Sequence, residues 1–110
     1  MAFTVNLYVE AGATFSREVA YTNADGTVFD LTGYTAELQV RETAASATAA
    51  ITVEPDIDVE TGVVSWTFSA EETSGLTASK YVYAIELTHL GGNVIRFIEG
   101  DITVSPEVVR

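Results

Sequence analysis

Asp30-Leu31-Thr32-Gly33-Tyr34-Thr35-Ala36-Glu37-Leu38-Gln39-Val40-Arg41-Glu42 places a turn directly before a strictly alternating run. Ala36, Leu38 and Val40 fall on one side of an extended chain, with Glu37, Gln39 and Arg41 on the other, the pattern of a half-buried strand. In the turn, Asp30 can bond the backbone just after it and Gly33 can take the conformation a corner needs. Tyr34 can lock that corner by reaching back with its hydroxyl. Asp30, Gly33 and Tyr34 therefore read as a fold corner rather than a site.

Working outward, the period stays at two. Phe3, Val5, Leu7 and Val9 alternate with Thr4, Asn6, Tyr8 and Glu10; Phe15, Val19 and Tyr21 form a second, more polar run. Asn23-Ala24-Asp25-Gly26 is a hairpin turn, followed by a short return from Thr27 to Asp30. Thr43 to Ala50 has no large apolar anchor and reads as a loop. Ile51 and Val53 restart the alternation, and Pro55 limits that strand. Val64, Trp66 and Phe68 make the heaviest apolar face, with Trp66 at the expected core centre. Ser69-Ala70-Glu71-Glu72 matches a capping box and Gly75 supplies a stop, which predicts a helical turn near 70–74. Tyr81, Tyr83, Ile85 and Leu87 alternate through the next strand. Leu90-Gly91-Gly92-Asn93 turns it into the last, Val94 to Val104, where Gly100 marks a bulge or a close backbone approach.

About seven or eight short strands and almost no helix predict an all-β fold, an antiparallel immunoglobulin-like β-sandwich, with a small barrel as the competing closure. The 110 residues fit one domain, 1–110, with 105–110 as a C-terminal tail. The expected core holds Leu38, Val40, Val64, Trp66, Phe68, Tyr83, Ile85 and Leu87. Without cysteine there is no disulfide framework, so stability comes from packing or association. No stretch approaches the roughly 20 apolar residues of a membrane helix, and the start of the chain has neither a basic region nor an apolar signal core.

Five Lys plus Arg stand against sixteen Asp plus Glu, a formal net charge of −11. Nucleic acid and anionic membranes select proteins that present cations, so neither is expected as a partner. The acidity reads as a solubilised surface or as attraction to a basic protein partner.

No constellation points to chemistry, so no catalytic, cofactor-binding or metal-binding residue is assigned. Asp56, Asp58 and Glu60 alternate and would share one face of an extended segment, a conceivable weak calcium site. A calcium loop of the EF-hand kind would also need glycine and an acid where Thr61 and Thr67 stand. His89, the single histidine, sits at a hairpin edge with no strained nucleophile turn beside it. Gly91-Gly92 is a turn, not a phosphate loop. A carbohydrate platform would use Trp66 and the tyrosines; Trp66 is in phase with the core face, and Tyr8 is the better exposed aromatic.

Three segments then carry a resemblance. Ala13-Thr14-Phe15-Ser16-Arg17, Asn23-Ala24-Asp25-Gly26-Thr27 and Asp30 to Arg41 resemble a group of small tailed-phage and prophage proteins that share "G-x-T-F-x-R" and "x-D-G-x-x-x-D-L-T-G-x-x-A-x-x-Q-V-R". Gly62 to Thr73 is similar to their "G-x-I-x-x-x-L-S-A-E-E-T" segment. Lys80 to Leu87 and Glu99 to Val108 are similar to "Y-x-Y-D-L-E-L" and "E-G-x-V-x-V-S-P-E-V". The chain also resembles the N-terminal domain of phage baseplate upper proteins, a β-sandwich that docks receptor-binding modules. The resemblance implies a non-enzymatic virion structural protein, made in the host cytoplasm, acting as a tail, baseplate or fibre-attachment adaptor. Capsid decoration or cement is the alternative, and a carbohydrate-binding module a lesser one. Implied partners are other virion proteins and further copies of the chain. Interface candidates are Phe3, Val5, Leu7, Tyr8 and Val9 on the first strand, and Pro106, Val108, Val109 and Arg110 on the tail.

Overall fold

Alternating apolar residues become nine strands and one helix in the computed structural model, which describes residues 3–106. The strands are β1 Phe3–Thr4, β2 Leu7–Glu10, β3 Phe15–Ala20, β4 Tyr34–Arg41, β5 Ile51–Val53, β6 Asp56–Asp58, β7 Val63–Phe68, β8 Lys80–His89 and β9 Val94–Ser105. The helix, α1, spans Ala70–Ser74 between β7 and β8.

They form two sheets. The larger runs β1-β9-β8-β4-β5, with β2 also paired to β9; the smaller runs β3-β7-β6. Between them lies one core cluster that includes all eight expected core residues, each at 4 % exposure or less. Each large apolar side chain removed from water in this way stabilises the fold by about 1.5–3 kcal/mol. The chain changes sheets at Glu54-Pro55: β5 belongs to the larger sheet, β6 to the smaller, and buried Pro55 makes the step without needing a ladder donor.

The first strand departs from the antiparallel rule. β1 and β2 pair with β9 in parallel and in one continuous register, Phe3 opposite Ile98 and Leu7 opposite Ile102. They are two halves of a single edge strand, and the chain then crosses to the other sheet through Ala11–Thr14. That crossing is fastened to α1. The buried Thr73 hydroxyl donates to the Ala13 carbonyl at 2.8 Å and accepts the Gly12 N–H at 3.0 Å. α1 itself starts at a complete capping box between Ser69 and Glu72.

The bulge falls at Phe97, not at Gly100. Ile85 pairs with Ile98 and Glu86 with Arg96, so Phe97 is the extra residue. The insertion turns two consecutive apolar side chains, Phe97 and Ile98, into the core, at 1 % and 0 % exposure. Gly100 is instead a site of close approach, where a Cβ would run into the Val5 carbonyl oxygen and stand 2.8 Å from its carbon.

At the corner, the Tyr34 N–H donates to the Leu31 carbonyl at 3.1 Å and Gly33 has φ of 81° in the third turn position. Asp30 accepts the Thr32 N–H at 3.0 Å. Thr32, through its hydroxyl first and its N–H second, holds the Asp30 carboxyl below the usual range. Tyr34 departs from expectation: it fastens the corner with its ring, packed against Phe29 at 6.0 Å and His89 at 4.9 Å between centroids. Its hydroxyl bonds no group among the described residues.

Candidate interaction surfaces

The first strand is latched along its length. The Val5 N–H donates to the Glu99 carbonyl at 3.0 Å, and the Val5 carbonyl accepts the Tyr83 hydroxyl at 2.6 Å. The Asn6 side-chain oxygen accepts the Asp101 N–H at 3.0 Å. Burial pushes the Tyr83 hydroxyl up to about 12, against a weaker opposing pull from Arg17, so the phenol stays a donor over the ordinary pH range. Beside it the buried Trp66 indole N–H has no partner among the described residues, its ring 6.4 Å from that of Tyr83.

This latch corrects the interface expectation. Leu7 and Val9 are each 1 % exposed and Val5 is half-buried, because the inward face of the strand completes the core. Two residues of the strand remain open to solvent: Phe3, which has the inward parity but sits at the strand's end against Tyr21 and Phe97, is 51 % exposed, and outward-facing Tyr8 is 76 % exposed. Pro106 is exposed at the other end of β9, while Val108, Val109 and Arg110 lie outside the described residues.

An unanticipated surface lies at the end of the sandwich where the β8–β9 hairpin turns. Rings run continuously across it, Phe3 to Tyr21 at 5.9 Å, Tyr21 to Phe29 at 4.3 Å, then through Tyr34 to His89. Phe97 stacks beneath Tyr21 at 4.6 Å. At this end Val28 and Leu90 open to solvent, Leu90 at 87 %, and Val94 is exposed at the start of β9 on the outer face of the larger sheet. The signal in the sequence was the out-of-phase Val28 and Leu90: Val28 forms an isolated antiparallel bridge with Thr22 and Leu90 sits in the hairpin turn, both outside the strands whose period reads a face.

The polar candidates have local duties. The His89 Nδ1 accepts the Gly91 N–H at 3.0 Å, closing its own hairpin. Asp58 accepts the backbone N–H groups of Glu60 and Thr61 at 3.1 and 3.4 Å. Asp56 and Asp58 flank half-buried Ile57 on β6, but Glu60 has left the strand, so the three carboxylates do not share an extended face. Among the described residues no three His, Asp or Glu side chains converge as metal ligands. Trp66, at 4 % exposure, is closed to a sugar.

The outer face of the larger sheet carries a groove of about 660 Å³ running along β8. Its floor is Val82 and Ala84; β4 side chains form one wall, and β9 with the first strand forms the other. No family model matches this chain, and no curated protein matches it significantly.

Proposed function

We propose that this domain is a non-enzymatic structural protein of a tailed-phage virion, a tail, baseplate or fibre-attachment adaptor that contacts other virion proteins and further copies of itself. The observation that carries the reading is the apolar end of the sandwich, where Phe3, Val28 and Leu90 stand exposed beside a stacked ring base and Val94 is exposed at the start of β9. Exposed apolar and aromatic side chains gathered on a rigid support are characteristic of protein contacts. The resemblance of the turn and strand-face motifs to those of small phage proteins supports this kind of assembly, and the immunoglobulin-like description of the sandwich belongs to the same reading.

The test is incorporation into particles. A Leu90→Asp, Val94→Asp double variant alters side chains that are already solvated, so the fold survives. Its content in purified virions is expected to fall strongly. Wild-type content would remove this end as the assembly contact.

A further inference from the structure

The groove on the outer face of the larger sheet is organised in rows across the strands. In the first row Glu37 on β4 lies opposite Glu86 on β8, which lies opposite Arg96 on β9. In the second, Gln39, Ala84 and Glu99 face one another in the same order; in the third, Arg41, Val82 and Asp101 do so. The middle strand thus contributes the short side chains Val82 and Ala84 where its neighbours carry long polar ones. A trough results, parallel to β8, with a small apolar floor.

Its cations are already engaged. Arg96 lies 4.0 Å from Glu86. Arg41 donates to the Ser46 carbonyl at 2.9 Å and to the Gln39 side-chain oxygen at 2.7 Å. Gln39 in turn donates to Glu37 at 2.7 Å, which orients that wall. Asp101 is shared with Lys80 at 3.8 Å. Glu37 and Glu99 are left on opposite walls beside Ala84, neither in an ion pair among the described residues. Among the described residues no strand or helix packs over the trough, and its free charge is negative, on a chain whose formal net charge is −11.

We infer that this trough is a docking site for an extended segment of a partner protein carrying lysine or arginine, the cation seated over Ala84 between Glu37 and Glu99. The extended form follows from the shape, since a channel parallel to a strand accepts a chain at about 3.3 Å per residue with alternate side chains turned down. The sign follows from the two carboxylates, whose field also speeds encounter with a basic segment. A second copy of this acidic chain is disfavoured by the same charge. The inference does not depend on the virion reading.

The test uses the full chain and a fluorescein-labelled peptide of alternating alanine and lysine, with alanine-glutamate as control, followed by anisotropy. Amide shifts in the unaltered protein map the contact. Binding of the basic peptide alone is expected, with shifts confined to 37–41, 82–86 and 96–101. Weakening of about ten-fold or more is expected for Glu99→Gln and for Ala84→Leu. Ala84→Leu keeps the charge and fills the floor, so it separates a shaped site from general attraction to an acidic protein. Glu18→Gln, on β3 of the other sheet, should bind as the unaltered protein does. Undiminished binding by Ala84→Leu, equal loss in Glu18→Gln, shifts elsewhere, or no binding would each overturn the inference.

Discussion

The Tyr83 hydroxyl and the Val5 carbonyl, 78 positions apart in the chain, are joined by a 2.6 Å hydrogen bond that ties the first strand to the middle of the larger sheet. The bond is part-buried and gives the Val5 carbonyl a side-chain donor from β8. Tyr83→Phe should lower stability by about 1–2 kcal/mol and raise amide exchange selectively from Val5 to Glu10. Uniform exchange changes would deny the latch.

Burial of the same hydroxyl sets a pH dependence. Because folding raises the Tyr83 value from the ordinary 10.0 to about 12, its contribution is complete below pH 10 and lost as pH rises through 12. Denaturant midpoints between pH 9 and pH 12 should fall more steeply for the unaltered protein than for Tyr83→Phe.

Gly100 is required by proximity rather than by its dihedral angles. Gly100→Ala drives a methyl into the Val5 carbonyl and should cost about 1–3 kcal/mol. Thermal unfolding would measure it, and a neutral result would mean that the first strand sits farther from β9.

Neighbours on the first strand should differ sharply. Leu7→Ala opens a cavity in the core and should cost about 2–5 kcal/mol. Tyr8→Ala, at a largely solvated position, should stay within about 0.5 kcal/mol of the unaltered protein. Denaturant titrations of the two variants suffice.

Thr73 joins α1 to the crossing between the sheets. Thr73→Val keeps the shape and strands the Ala13 carbonyl and the Gly12 N–H, an expected loss of about 1–3 kcal/mol. Thr73→Ser should retain most of the stability, and equal losses in both would assign the role to packing.

Much of this fold was legible because strand faces obey a local rule. Leu38, Val64, Trp66 and Ile85 announce an inward face by period alone, and Ser69 with Glu72 announces a helix start. What escaped depends on distant partners. Nothing near Phe3 to Glu10 shows that β9 lies beside it in parallel, so Leu7 and Val9 read as available when they are core. The Phe97 bulge was hidden because Phe97-Ile98 breaks the period without a glycine, while Gly100, the visible signal, marks a close approach. Tyr34 was placed correctly at the corner, but its ring partners Phe29 and His89 come together only through topology. The groove escaped because short outward residues such as Val82 and Ala84 mean little until long neighbours are known to flank them.

The proposed virion role is tested most directly by quantitative mass spectrometry of phage particles purified from cells that carry the gene, referenced to the major capsid protein. A tail or baseplate adaptor is expected in every particle at a copy number many-fold below the capsid protein. A ratio near that of the capsid protein would contradict the tail position in favour of capsid decoration, and absence from the particles would contradict the structural role altogether.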